Sequence, residues 1–331
     1  MNKIDAETKS YLSNVVKCFS PGIRYACAYG SGVFKQSGHK SIKENMIDFL
    51  FVVNDAFSWH SQNLTNYSDH YSIIKHLGVK SISEFQTNYG AGVFFNTCVE
   101  FDGRLIKYGV IDLKMFQEDM FDWTDLYIAG RLQKPVYSLA GLDNPLVEKA
   151  IASNLKSAAL TALLLLDEKF TTEEFFIKIA SLSYTGDPRM IVGEDKGKVR
   201  NIVAPNLDKF INLYKPVLKD IPGIDFDCNL MNQNLDPFER YKTLQELPKN
   251  LNQKIYKKLN LNTKSGDIAL VQFQQLKTPH IKDAIADSVA KIVRRSSTTQ
   301  TLKNSVSAGV KKSVYYGGEI LKKMLRGIAR R

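Results

Sequence analysis

Chemistry is concentrated where one apolar run ends and the next begins. Tyr25–Tyr29 stops at Gly30-Ser31-Gly32, and the following run, Met46-Ile47-Asp48-Phe49-Leu50-Phe51-Val52-Val53, carries a lone acid. Glycines flanking a serine let backbone N–H groups and a hydroxyl approach phosphate oxygens without obstruction. A lone Gly-Ser-Gly is equally a tight turn. A carboxylate inside a β-branched and aromatic run is costly to bury uncompensated, and a metal ion is one form of compensation. Magnesium held on Asp48 would bridge a nucleotide's phosphates and offset the charge of phosphoryl transfer. Both readings, structural turn and nucleotide site, stand at this point.

Basic residues supply the other half of such a site. Lys107 lies mid-strand between Ile106 and Tyr108, where it reads as a solvated strand lysine or as a phosphate partner. Arg131 and Lys134 lie in a Gly- and Pro-flanked turn. Loops on a rigid scaffold commonly carry function, and an Arg fork matches phosphate oxygens. His60 and His70 read as packed histidines or phosphate contacts. Gly90-Ala91-Gly92 reads as a structural turn or a second phosphate loop.

The elements that must position these residues form an α+β pattern. Residues 3–19 have helical spacing of Ile4, Leu12, Val15 and Val16, and the Asp48 run reads as a buried strand. Gly92–Phe101 and Leu105–Leu113 flank Asp102-Gly103, a hairpin signal. Beyond Gly141-Leu142-Asp143-Asn144-Pro145 the texture turns helical, with Val147–Leu166 and a second helix opened by Thr171-Thr172-Glu173-Glu174. Residues 222–250, with scattered Pro, Asn and Asp, read as an irregular connection. The divisions expected are 1–145, 146–250 and 251–331.

Composition narrows the classes. In 331 residues, 44% hydrophobic and 24% charged content are those of a globular chain. No apolar run reaches the ~18 residues of a membrane span. Four scattered cysteines without a C-x-x-C pair disfavour a disulfide scaffold or a cysteine zinc site and fit a reducing compartment. Residues 282–331 hold twelve Lys/Arg against three acids, nine of the eleven net positive charges of the chain. Such a segment suits a polyanion, either an anionic membrane or a nucleic acid. Ile320, Leu321, Met324, Leu325 and Ile328 share a helix face, while Lys322, Lys323 and Arg326 lie mostly on the other side. That is a basic amphipathic helix suited to an anionic bilayer, its alternative being a helix docked on the protein itself.

Tyr29-Gly30-Ser31-Gly32-Val33 and Ile47-Asp48-Phe49 resemble the opening of a DNA-polymerase-β-like nucleotidyltransferase domain. Tyr89-Gly90-Ala91-Gly92-Val93, Tyr127–Val136, Ser183-Tyr184-Thr185-Gly186-Asp187-Pro188-Arg189-Met190 and Val192-Gly193-Glu194-Asp195-Lys196 extend the resemblance over most of the chain. Together they resemble the mitochondrial translocator assembly and maintenance protein family, peripheral CDP-diacylglycerol synthases. The resemblance implies a nucleotidyltransferase-type mixed sheet with flanking helices, then a mostly helical winged-helix-like domain. It also implies transfer of CMP from CTP to phosphatidic acid with release of pyrophosphate, for phosphatidylglycerol and cardiolipin synthesis. The expected site places Asp48, Ser31 and Lys107 in catalysis, with Gly30, Ser31, Gly32, Arg131 and Lys134 on the nucleotide. Magnesium is the expected cofactor. The superfamily usually pairs two acids two residues apart, but here Met46 and Leu50 flank Asp48, so Asp112 is the expected second metal carboxylate and Asp55 another candidate.

The expected partners are CTP, phosphatidic acid and an anionic membrane surface met peripherally through Ile320–Arg326, with no nucleic acid. Transfer to an RNA end and a non-catalytic membrane adaptor are the alternatives. Met1–Glu7 has neither an apolar core nor the Arg-rich, acid-poor character of a transit peptide. The expected location is therefore the inner face of a bacterial cytoplasmic membrane, with the mitochondrial matrix side as the alternative.

Overall fold

A computed structural model describes residues 6–19, 21–34, 45–192, 197–219, 221 and 230–328; side chains at 191–192 and beyond 307 lie outside the described residues. The first part runs α1 (Ala6–Phe19), β1 (Ile23–Tyr29), β2 (Ile47–Val53), α2 (Ala56–Asn66), α3 (Gly78–Asn88), β3 (Val93–Phe101), β4 (Arg104–Asp112), α4 (Leu113–Asp122), α5 (Ile128–Leu132) and β5 (Tyr137–Ala140). The mostly helical remainder runs α6 (Pro145–Leu165), β6 (Lys169–Thr171), α7 (Thr172–Leu182), α8 (Arg189–Val192), α9 (Lys198–Val203), α10 (Leu207–Leu218), β7 (Leu230–Asn232), α11 (Pro237–Gln245), α12 (Lys249–Leu259), α13 (Gly266–Gln274) and α14 (Thr278–Ile328).

The first five strands form one mixed sheet in the order β3-β4-β2-β1-β5, with β2 and β4 parallel and the other neighbours antiparallel. The central strand β2 is apolar on both faces because both are covered. Phe49, Phe51 and Val53 meet Leu12, Val15, Val16 and Phe19 of α1 on one side. Leu50 and Val52 share the other core with Tyr25, Cys27, Tyr29, Phe95 and helices from α4 onward. Side chains alternate along a strand, so Asp48 belongs to the second face, with Leu50 and Val52. There it pairs in register with Tyr29 on β1 and Lys107 on β4.

Local signals explain most boundaries. Asp102 and Gly103 adopt φ of +44° and +73° in the two-residue turn joining β3 to β4. Thr171 Oγ1 accepts the Glu174 N–H at 3.2 Å while Glu174 Oε2 accepts the Thr171 N–H at 2.7 Å, a complete capping box for α7. The irregular connection expected over 222–250 is corrected: residues 222–229 lie outside the described residues, and the rest holds β7, α11 and the start of α12. Asp236 Oδ1 accepts N–H bonds from Phe238 and Glu239 at 3.0 and 3.1 Å, with Pro237 in the first turn, and these start α11.

The basic C-terminal stretch is part of the body for much of its length. Ile281, Ala284, Ile285, Val289, Ile292 and Val293 of α14 are buried in the main core. Gln300 then accepts the Ala91 N–H at 2.8 Å and donates to Val93 O at 3.1 Å, and Lys303 Nζ donates to Gln86 O and Tyr89 O at 2.7 and 2.8 Å. Gly90-Ala91-Gly92 is therefore the seat of α14 and not a phosphate loop. The membrane-binding residues expected at Ile320, Leu321, Lys322, Lys323, Met324, Leu325 and Arg326 lie outside the residues with described side chains. Among the described residues, no helix is long and apolar enough to cross a membrane.

His60 and His70 sit on the α1 side of the sheet in a buried polar network. His60 Nδ1 meets Tyr71 Oη at 2.7 Å and Nε2 meets Gln86 Oε1 at 2.8 Å, while Asn63 Nδ2 donates to Tyr71 Oη and Tyr108 Oη at 2.9 and 3.0 Å. His70 Nδ1 meets Tyr108 Oη at 2.9 Å. Burial pushes the His60 pKa down to about 4, so the folded chain keeps the imidazole neutral. The unfolded chain binds its proton below an ordinary pKa of 6.5, so stability contributed by His60 is complete above that value and is lost as pH falls toward 4. Between pH 7 and 5 the loss from His60 should be about 2 kcal/mol. Urea unfolding at both pH values checks this against His60→Gln, in which the loss should shrink by that amount. Equal losses in the two proteins would contradict it.

Candidate active site

Asp48, near the start of β2, lies directly under the loop that leaves β1. Gly30 has φ of +81°, and a Cβ there would stand 3.0 Å from Asp48 Oδ2, so the close approach of loop to carboxylate requires glycine. Gly30 O accepts the N–H groups of Val33 and Phe34 at 3.1 and 2.9 Å, which winds the chain into a helix-like turn. The leading N–H groups of such a turn have no acceptor within it. Asn45 Nδ2 reaches Ser31 O at 3.3 Å and ties this turn to the start of β2. On the other side of Asp48, Lys107 Nζ approaches Oδ1 at 3.5 Å and lies 4.5 Å from the centroid of the Phe95 ring. Both side chains keep partial exposure, 23% for Asp48 and 18% for Lys107, so the pair opens to solvent and to a ligand.

Arg131 of α5 feels the charge of this carboxylate, and Lys134 follows in the turn after α5. The Arg131 guanidinium carbon lies 4.6 Å from the Tyr29 ring centroid and 5.7 Å from that of Tyr127, and its Nε is buried without a hydrogen-bond partner. Lys134 Nζ donates to Gly130 O and to Ser183 Oγ, the latter at 2.8 Å, and stands 5.2 Å from the Tyr184 ring, which Lys198 approaches at the same distance. Burial, then the charges of Arg131 and Lys198, push the Lys134 pKa down to about 7. Tyr29, Gly30, Arg131, Lys134, Tyr184 and Phe210 line an open cleft, and Asp48 lies beneath its Gly30 edge.

The turn carrying Arg131 is held from beneath by one carboxylate. Asp119 Oδ1 accepts the N–H groups of Asp125 and Leu126 at 3.0 and 2.7 Å; Oδ2 accepts those of Tyr127, Ile128 and Ala129 at 3.2, 2.9 and 2.9 Å. Asn154 adds a second clasp: its Nδ2 donates to Ala129 O at 2.9 Å and its Oδ1 accepts from Trp123 Nε1 at 2.9 Å. A Cβ at Gly130 would collide with Ser183, so glycine lets α5 lie against the turn that follows α7.

Five expected site residues are thus brought to one end of the sheet: Gly30, Asp48, Lys107, Arg131 and Lys134, with Ser31 and Gly32 in the same loop. Asp112 is not. It lies five residues beyond Lys107 on β4, opposite Val53, roughly 16 Å along the strand at ~3.3 Å per residue. There it accepts the Ala56 N–H at 3.1 Å, and burial pushes its pKa up. Asp112 as second metal ligand is therefore corrected: it belongs to the seam between α2 and α4. Asp55 caps α2, accepting the Ser58 N–H at 2.6 Å. Among the described residues, no group of three His, Cys, Asp or Glu side chains could hold a metal by itself. A single part-exposed carboxylate fits a magnesium ion whose remaining ligands are phosphate oxygens and water. The tyrosines around the cations, Tyr29, Tyr127 and Tyr184, and Asp119 beneath them were not expected from sequence, although Tyr29, Tyr127 and Tyr184 all lie inside the quoted motifs.

Residues 12–323 match the family model described as mitochondrial phosphatidate cytidylyltransferase. The chain is 44% identical over 320 residues to a protein of that name from Xenopus laevis, covering 96% of this chain and 95% of the relative. It is 43% identical to the one from Bos taurus over 96% and 95% of the two chains. The Schizosaccharomyces pombe protein of the same name is 37% identical over 97% of this chain and 85% of its own. These relatives are eukaryotic and named mitochondrial, which corrects the expectation of a bacterial cytoplasmic location. Net charge and the first seven residues report how a chain meets water and anions, and neither identifies a compartment.

Removing the Asp119 carboxylate leaves five N–H groups without their acceptor, three of them buried, each of those costing about 1–3 kcal/mol when left unsatisfied, less whatever the loop recovers by relaxing. Asp119→Ala should therefore lose at least ~3 kcal/mol of unfolding free energy. Urea titration monitored by Trp fluorescence checks this, and a loss under ~1 kcal/mol, the level of an ordinary single hydrogen bond, would contradict the clasp.

Proposed function

The chain belongs to the phosphatidate cytidylyltransferase family; it is an enzyme that transfers CMP from CTP to phosphatidic acid and releases pyrophosphate, and we propose that it does so in the cleft between β1, β2 and α5. The observation that supports this placement is the Asp48 carboxylate lying directly under Gly30, with Arg131 facing it across the Tyr29 ring. Family membership favours neither the RNA-end reading nor the non-catalytic adaptor. The five-stranded sheet is then the nucleotidyltransferase-type sheet of a domain assigned to residues 1–145. The helices over 146–250, with the short β6–β7 ribbon beside α7, are its winged-helix-like partner, and 251–331 is a third region.

The chain's own groups divide the work. Gly30, Ser31 and Gly32 would bring the triphosphate close to the leading backbone N–H groups of their turn. The Arg131 fork, held flat by Tyr29 and Tyr127, turns its donors toward phosphate oxygens, and Lys134 adds charge beside it. Lys107 orients Asp48 from the neighbouring strand. Asp48 would hold magnesium, which would supply positive charge to offset that developing on the leaving pyrophosphate. The lipid phosphate attacks the α-phosphorus in line, forming a new P–O bond as the bond to the β-phosphate oxygen breaks. Catalysis is then positioning and charge neutralisation, with no covalent enzyme intermediate.

Asp48→Asn keeps the shape of the side chain and removes its charge. Turnover of labelled CTP on phosphatidic acid vesicles with magnesium should fall about 100-fold or more in a protein that still folds. Near-normal turnover at saturating magnesium would contradict the assignment of Asp48.

The membrane side of the proposal rests on sequence: Ile320, Leu321, Met324 and Leu325 against Lys322, Lys323 and Arg326 suit an anionic bilayer, where each cation contributes about 1 kcal/mol. Removing residues 316–331 should reduce cosedimentation with anionic vesicles and leave turnover of a short-chain, soluble phosphatidic acid unchanged. Equal pelleting of the shortened and full chains would contradict it.

A further inference from the structure

Among the described residues, the cleft gathers more positive charge than its carboxylates balance. Lys134 illustrates the excess. Its ammonium position is met by two neutral oxygens, Gly130 O and Ser183 Oγ, and by the face of Tyr184. Arg131 stands three residues back, on α5, and Lys198 of α9 shares the Tyr184 ring. The remaining charged groups around the cleft are already engaged. Asp48 of β2 is paired with Lys107 of β4, and Asp187, after α7, holds Arg189 of α8 at 2.6 Å. Lys209 of α10 donates to Asn206 Oδ1 at 2.7 Å and lies 5.6 Å from the ring of Phe34, another wall of the cleft. Tyr29 of β1 is held un-ionised by burial. Among the described residues, no carboxylate forms an ion pair with Lys134.

Arginine cannot shed its proton, so among Arg131 and Lys134 relief from crowding falls to the lysine. The partners of Lys134 suit both of its states. As an ammonium it donates to Gly130 O and to Ser183 Oγ. As an amine it still donates to Gly130 O, while the Ser183 hydroxyl turns and donates to the amine lone pair. Neither state strands a buried polar group.

We infer that Lys134 stands as a neutral amine in the empty cleft and takes up one proton when a triphosphate enters, so that nucleotide binding and proton uptake are a single event. This deepens the proposed function and rests on its placement of the nucleotide. The proton comes from solvent, RNH₂ + H⁺ giving RNH₃⁺, and no bond of the nucleotide changes. The entering anion then meets a site that has gained charge as it was filled, instead of one strained by charge beforehand. The depression of the Lys134 pKa to about 7 agrees with this arrangement. Its sign sets the pH window: above about 7 the free site is neutral, and a tetra-anionic ligand must pull a proton out of increasingly dilute supply.

The test is calorimetric titration of the full chain with CTP and magnesium near pH 8.5, where the CTP phosphates are already ionised, in two buffers of different ionisation enthalpy. Close to one proton should be taken up per CTP bound. Affinity should fall by up to about tenfold per pH unit between pH 7.5 and 9. Lys134→Arg, charged in both states, should bind without proton uptake and with little change in affinity over that range; Lys134→Met should bind more weakly, also without uptake. The same proton number in wild type and both variants would overturn the inference, as would CTP binding to wild type without uptake. Failure of wild type to bind CTP at all would overturn the nucleotide placement itself, a result distinct from binding without a proton.

Discussion

Cations crowded around too few carboxylates must be held by something other than ion pairing. Lys107, Arg131, Lys134 and Lys198 gather around the cleft, where Asp48 pairs with Lys107, and mutual repulsion would scatter them on a flexible surface. The fold supplies neutral anchors instead. Tyrosine and phenylalanine faces meet all four, and carbonyl and hydroxyl oxygens fix the Lys134 amine. Such anchors hold a cation without neutralising it, which leaves its charge available to a phosphate. Salt bridges would have stabilised the empty cleft and competed with the ligand.

The anchors are useful only if the backbone beneath them is stiff. Asp119 gathers five successive amides, so the turn from Asp125 to Ala129 has one place to sit, and Asn154 and Trp123 brace the same turn from α6 and the end of α4. Gly130 then lets α5 touch the turn carrying Ser183 and Tyr184, which brings the helical part of the chain to the cleft. The opposite end of the sheet has a different task. There the start of β3 and the Gly90 turn receive Gln300 and Lys303, and α14 becomes part of the structure that supports the strands. The long helix α14, begun at Thr278 and held on that seat at Gln300 and Lys303, extends to Ile328, so whatever its last turns contact is mechanically joined to the five-stranded sheet.

Much of this was legible in the residue order, and what was not had physical reasons. β2, the Asp102-Gly103 hairpin and the α7 capping box are set by interactions within a few residues. Asp48, Gly30, Arg131 and Lys134 were identifiable because their types and neighbours fit phosphate chemistry. Their convergence depended on the β1–β2–β4 register, which local patterns do not encode. Asp112 shows the cost of that gap: at the end of the right strand it looked like a partner for Asp48, yet the parallel register sets it against Val53. The aromatic supports of the cations went unnoticed because Tyr29, Tyr127 and Tyr184 meet only through long-range packing. Asp119 gave no signal either, since an acid on a helix ordinarily faces water. The start of α11 was readable in Asp236-Pro237 and was obscured by the surrounding Asn residues.

The central claim is that one carboxylate under one glycine marks where the triphosphate sits. A crystal structure of the full chain with CTP and magnesium tests it most directly. The account requires the metal on the Asp48 carboxylate, the triphosphate against Gly30–Gly32, and the Arg131 guanidinium within hydrogen-bonding distance of a phosphate oxygen. A triphosphate bound elsewhere, with Asp48 still paired to Lys107 and free of metal, would contradict it.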